Sequence, residues 1–109
     1  MKRLFKEYIR NCRKDNNFWM LTVEDFHKIT QLNCEYCGKP PSQYRRSYRY
    51  NGIDRKNHKQ GYMPGNIVPC CRECNWVKGR LLTYEEMKVV AEALRIFRGK
   101  RGAEPKPGP

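Results

Sequence analysis

Apolar residues recur at helical spacing in three stretches of this chain. Near the N-terminus Leu4, Phe5, Tyr8, Ile9 and Cys12 share one face. Lys2, Arg3, Lys6, Arg10 and Arg13 occupy the rest, so the pattern predicts a basic amphipathic helix over 2–12. Asp15-Asn16-Asn17 breaks it. Thr22, with Asp25 three residues on, has the form of a capping box, and Val23, Phe26 and Ile29 continue it as a second helix. Thr83 and Glu86 repeat the device ahead of a stripe of Met87, Val90, Ala91, Leu94 and Phe97, which is expected to be core. Arg95, Arg98, Lys100 and Arg101 gather at the end of that helix, where its dipole favours cations.

Between the second and last helices the pattern shortens. Residues 42–50 alternate aromatic and arginine side chains, which suits either an exposed strand or an ordered basic loop. Ile53-Asp54 and Ile67-Val68 are short apolar centres flanked by turn residues, and they predict two strands joined by a long connection. The run Arg72–Lys78 lacks breakers and meets Gly79, a good stop for a short helix. The last residues alternate proline with polar or small residues and have no apolar anchor, so they are expected to be disordered. This divides the chain into a basic N-terminal helix and linker (1–19), a central α+β domain (20–98) and a tail (99–109).

Composition narrows the function. Within 109 residues, 23 Lys and Arg against 11 Asp and Glu leave a net charge of +12, which predicts a polyanionic partner, nucleic acid first. A core this small favours a staple such as a metal. No apolar run is long enough to span a membrane. The N-terminus lacks the apolar middle of a secretory signal. A cytoplasmic setting, bacterial or in a phage-infected host, is therefore expected, with thiols kept reduced.

Two Cys-x-x-Cys pairs, Cys34/Cys37 and Cys71/Cys74, supply the four sulfurs of a closed tetrahedral zinc site. Cys70 stays open as an alternative to Cys71, because with Cys74 it also presents two sulfurs from one helical turn. The repeated two-residue spacing favours Cys71. Cys12 and Cys70 are then spare and expected to be buried as small hydrophobes. Binding Zn²⁺ through four thiolates would take the charge from +12 to about +10, leaving the surface basic.

Read in order, Cys34-x-x-Cys37, Gly52-Ile53-Asp54-Arg55, Gly61-Tyr62, Asn66-Ile67-Val68 and Cys71-x-x-Cys74-Asn75-x-x-Lys78 resemble an HNH endonuclease. More narrowly, they resemble the small, often phage-encoded subgroup with a zinc-stapled ββα-metal (His-Me finger) core flanked by helices. The resemblance covers about residues 20–98. It implies phosphodiester hydrolysis assisted by one divalent cation, Mg²⁺ or Mn²⁺. It also implies Asp54 as a metal ligand, Asn66 as the central Asn that orients the base, and Asn75 as the helix ligand.

One position departs from the family. Arg55 stands where the general-base His is expected, and a guanidinium cannot accept a proton near neutral pH. Arg55 is suited instead to gripping the scissile phosphate. His58, in the connection between the strands, is the candidate replacement base, while His27 is expected to be structural or solvent-exposed. Arg45, Arg46, Arg49, Lys56, Lys59, Lys78 and Arg80 are the candidate nucleic-acid contacts.

Two classes of function stay open on these grounds. One is a metal-dependent endonuclease on double-stranded DNA, nicking or cutting with low sequence preference. The other is a non-catalytic zinc-stapled nucleic-acid-binding module that has lost its base. An accessory role in phage DNA packaging or recombination is a weaker third. A monomer or weak dimer is expected.

Overall fold

The computed structural model describes residues 1–100, the side chain of Lys100 excepted; of the expected tail (99–109), residues 101–109 lie outside the described residues. Four helices, α1 (Lys2–Lys14), α2 (Val23–Thr30), α3 (Arg72–Lys78) and α4 (Tyr84–Lys100), surround two antiparallel hairpins. The first pairs β1 (Gln43–Arg45) with β2 (Tyr48–Tyr50), and the second pairs β3 (Gly52–Arg55) with β4 (Ile67–Cys70). The stretch 42–50, left open between strand and loop, is thus a hairpin, and Arg46 takes the left-handed conformation (φ 57°) at its turn. The register of the second hairpin sets Asp54 opposite Val68 and Arg55 opposite Ile67.

Local chemistry places the helix boundaries. In α2 the Thr22 hydroxyl accepts from the Asp25 amide (3.1 Å), and the Asp25 carboxylate accepts from the Thr22 amide (3.0 Å). Thr83 and Glu86 make the same reciprocal pair before α4. The thiol of Cys71 caps α3 by accepting from the Cys74 amide, and Gly79 ends that helix at φ 50°, backbone that favours glycine.

Two clusters form the core. One gathers Leu4, Leu21, Phe26, Ile53 and Ile67, with Phe5, Tyr8, Trp19 and Tyr62 packed around them. Because Leu4 is buried there, α1 shares the core of the central domain. The other gathers Cys34, Cys70, Cys71 and Cys74 with Met87 and Ala91 of α4. The α4 stripe is therefore core only in its first half: Leu94 and Phe97, expected inside, are 38% and 57% exposed. The helix runs on through Lys100 and so includes Gly99 and Lys100, which had been assigned to the tail. Among the described residues no helix is long and apolar enough to cross a membrane.

Candidate metal centre and catalytic cleft

The staple comes from two local turns. The first pair sits in a knuckle closed by the Gly38 amide on the Cys34 carbonyl (2.9 Å), with Gly38 at φ 78°. The second pair straddles the start of α3. The Glu35 amide donates to the Pro69 carbonyl (2.8 Å), which docks the knuckle on β4. The four ligand sulfurs of Cys34, Cys37, Cys71 and Cys74 all lie within 4.8 Å of one another, and those of Cys37 and Cys71 are 3.6 Å apart. A zinc–sulfur bond of about 2.3 Å in a tetrahedron sets sulfurs about 3.8 Å apart, so this arrangement fits. Thiols of Cys70, Cys71 and Cys74 donate toward Cys34, which lowers the Cys34 pKa and raises those of Cys71 and Cys74, the pattern of close sulfurs sharing one negative charge. Cys71, not Cys70, joins the ligand group, while Cys70 and Cys12 are buried.

The second site forms where β3, the β3–β4 connection and α3 meet. Asp54 is 8% exposed, and its Oδ2 accepts a hydrogen bond from the Tyr36 hydroxyl at 2.7 Å. Burial and the Asp54 carboxylate both push the Tyr36 pKa up, so the phenol stays protonated and donates. Lys78, the last residue of α3, has no exposed surface. Its ammonium lies 3.1 Å from Asp54 Oδ2, 2.8 Å from His58 Nε2 and 3.3 Å from the Arg55 carbonyl. His58 is thus brought to the Asp54 side of the strand. Its pKa is pushed down, first by burial and then by the Lys78 charge.

Asn66 is 5% exposed and closes the connection that carries His58. Its carboxamide donates to the carbonyls of Gly61 (2.8 Å) and Asn57 (3.2 Å), and its oxygen accepts from the Asn57 amide (3.0 Å). A turn closed by the Lys59 amide on Asn57 Oδ1 (2.9 Å) completes the loop. Gly61 is required there, because a Cβ at that position would lie 2.4 Å from the Phe18 carbonyl oxygen.

Arg55 is elsewhere. Successive strand residues point to opposite faces, so Asp54 turns toward α3 and Arg55 toward the first core cluster. One guanidinium nitrogen donates to Asn17 Oδ1 (3.0 Å) and to the carbonyls of His58 (3.0 Å) and Gln60 (3.1 Å), and the group lies 5.2 Å from the Tyr62 ring centroid. The expected phosphate grip is replaced by an anchor for the loop bearing His58. Lys78 is corrected too, since a fully buried ammonium is not part of a DNA-facing surface. Arg45, Arg46, Arg49, Lys56, Lys59 and Arg80 are exposed, although Arg45 is paired with Glu7. Asn75 is exposed one turn before Lys78, and His27 is an exposed residue whose Nδ1 bonds the Tyr48 hydroxyl (2.9 Å).

The sequence assigns no role at the site to Tyr36, to Asn17 of the helix-breaking cluster or to Tyr62 of the family-like pattern. Tyr36 left one signal, its place inside the Cys34–Cys37 knuckle. For Lys78 the signal was its spacing of four from Cys74, which puts both on the inner face of α3.

The architecture is that of an α+β protein with a ββα core whose helix carries half of a four-cysteine metal site. No known family pattern matches the chain. Uncharacterized protein R423 of Acanthamoeba polyphaga mimivirus is 33% identical over 69 residues, 63% of this chain, and the chain spans 12% of the length of that relative. Among solved structures, the rare-cutting HNH restriction endonuclease PacI, described as perturbing DNA, is similar with a TM-score of 0.69 and 25% identity, over 90% of this chain and 78% of that one. This match shows that the chain shares its fold with an HNH endonuclease.

Proposed function

We propose that the chain is a metal-dependent DNA endonuclease, hydrolysing phosphodiester bonds with low sequence preference of its own. The observation that carries this reading is the meeting of Asp54 and His58 at one buried ammonium, on a loop locked by Asn66. His58 takes the proton of the attacking water through Nε2. Asn66 and Arg55 hold the loop that presents it, from inside and from behind. Tyr36 fixes the orientation of the Asp54 carboxylate. The oxygen donors of Asp54 and Asn75 suit a hard cation such as Mg²⁺ or Mn²⁺. When bound, such an ion supplies Lewis-acid stabilisation of the charge that develops on the phosphate. Zn²⁺ at the four cysteines is structural, because no ligand position is left for water or substrate. Arg46, Arg49, Lys56, Lys59 and Arg80 hold the DNA backbone, with Arg45 contributing when released from Glu7.

The loss of a histidine next to Asp54 argued for a binding-only module. The position of His58 weakens that argument, since an imidazole is present from another part of the chain. Incubating zinc-loaded protein with supercoiled plasmid and Mg²⁺, Mn²⁺ or EDTA tests the reading. Nicking is expected with either ion and not with EDTA. Asp54→Ala should abolish it, and His58→Ala should slow it by about 10²–10⁴-fold, the range of general-base catalysis. Tight DNA binding without nicking under all conditions would leave the binding module as the function.

A further inference from the structure

The ammonium of Lys78 brings Asp54 and His58 together, yet the proposed mechanism gives Lys78 itself no chemical step. A lysine with no exposed surface needs acceptors for all three ammonium protons. Here they are Asp54 Oδ2 at 3.1 Å, His58 Nε2 at 2.8 Å and the Arg55 carbonyl at 3.3 Å, with Asp54 Oδ1 more weakly placed at 3.5 Å. An ammonium only donates, so Nε2 of His58 must be the accepting, unprotonated nitrogen. The lone pair that a general base would offer to water is therefore already used. So is the carboxylate that would hold the divalent ion.

We propose that Lys78 is a resident cation that closes the cleft by capping Asp54 and His58 together, and that a divalent ion binds only by expelling it. The inference rests on the reading of Asp54 as the ion's ligand and His58 as the base. Two cations cannot share one carboxylate at contact distance without strong repulsion. Expulsion frees the Asp54 oxygens and the His58 lone pair in a single event, so ion entry and activation of the base are coupled. The fold permits the movement. Lys78 is the last residue of α3, followed by Gly79 at φ 50°. Its ammonium sits on a flexible four-carbon stem, so the movement proposed is one of side-chain torsions at a helix end. Outside, it would join a surface that already carries Arg80. The role is one of positioning and gating, since Lys78 acts through its neighbours.

Binding of Mn²⁺ to the full zinc-loaded chain, read by electron paramagnetic resonance of the free ion, tests this without using activity. Lys78→Met keeps an unbranched stem of four heavy atoms and removes the ammonium and its charge. It should bind Mn²⁺ at least about tenfold more tightly than the parent, a coupling of ordinary size for competing ligands. Asp54→Asn should lose the ion. If Asp54→Asn loses the ion while Lys78→Met binds no better than the parent, the competition is overturned and the metal reading stands. If Asp54→Asn binds as the parent does, both fall. Should Lys78→Met fail to fold, the parent protein decides the matter. Its Lys78 ¹⁵Nζ resonance is expected to shift with the same dissociation constant as Mg²⁺ binding. An unmoved resonance at Mg²⁺ saturation would overturn the proposal.

Discussion

Asp54 and Arg55 are neighbours in sequence and far apart in environment, and that contrast organises the chemistry of single residues here. The pleat of β3 sends the carboxylate toward α3 and the guanidinium to the opposite side, where it holds the carbonyls of His58 and Gln60. The loop so anchored delivers a histidine of lowered pKa, with two measurable consequences. As a base, His58 must be neutral, so the acid limb of the cleavage rate should lie below the ordinary imidazole value of 6.5. His58→Ala should remove that limb. The same shift acts on folding: a depressed pKa contributes stability that is present above 6.5 and lost as pH falls through the folded value. Urea unfolding of the parent between pH 7 and pH 5 should show this loss, and His58→Ala should flatten it. Asn66 supports the loop from within. Asn66→Ala strips three hydrogen bonds and leaves buried partners unpaired, so it should cost about 2–3 kcal/mol in the same measurement.

At the scale of elements, the two sulfur-bearing turns do what the small core does not. The Cys34–Cys37 knuckle, the end of β4, α3 and the first half of α4 meet at one cluster whose buried members are Cys34, Cys71 and Cys74, three of the four candidate ligands, with Cys70, Met87 and Ala91. Chelating the zinc should therefore unfold β3, β4, α3 and α4 together, because the ion's binding free energy is folding free energy for such a site. Circular dichroism melts with and without a strong chelator check this; a cooperative transition at unchanged temperature would contradict it. The same elements show what a sequence can reveal. The caps at Thr22 and Thr83 and the stop at Gly79 act over three or four residues, so α2, the end of α3 and the start of α4 were legible; the thiol cap at Cys71 was not. The outward turn of Leu94 and Phe97 was not, because periodicity marks an apolar face without naming its partner. The Asp54–Lys78 pair was equally hidden. It depends on which face of β3 meets α3, a choice made by contacts between distant segments such as Asn17 with Arg55 and Phe18 with Tyr62.

For the whole molecule the governing quantity is the charge of +12, and on the proposed function its distribution would decide how DNA is held. Buried Lys78 and Glu7-paired Arg45 subtract from the naive count of cations near the cleft. Arg46, Arg49, Lys56, Lys59 and Arg80 remain exposed, and α1 adds a basic face of Lys6, Arg10, Arg13 and Lys14. Each neutralised phosphate contributes about −0.9 to the slope of log affinity against log salt concentration. If these five residues all engage the backbone, they should contribute roughly −4 to −5 to that slope for a short duplex. The double substitution Arg46→Ala and Arg49→Ala should reduce the slope by about 2 and weaken binding alike for unrelated sequences, since backbone contacts carry no base information. Lys78→Met supplies the contrast: its charge is spent on Asp54 and His58, so it should leave the salt slope of DNA binding in EDTA unchanged. Fluorescence anisotropy of labelled duplexes across a salt series separates these outcomes. A slope reduced by Lys78→Met as much as by an arginine substitution would mean that the ammonium reaches the phosphates rather than the carboxylate.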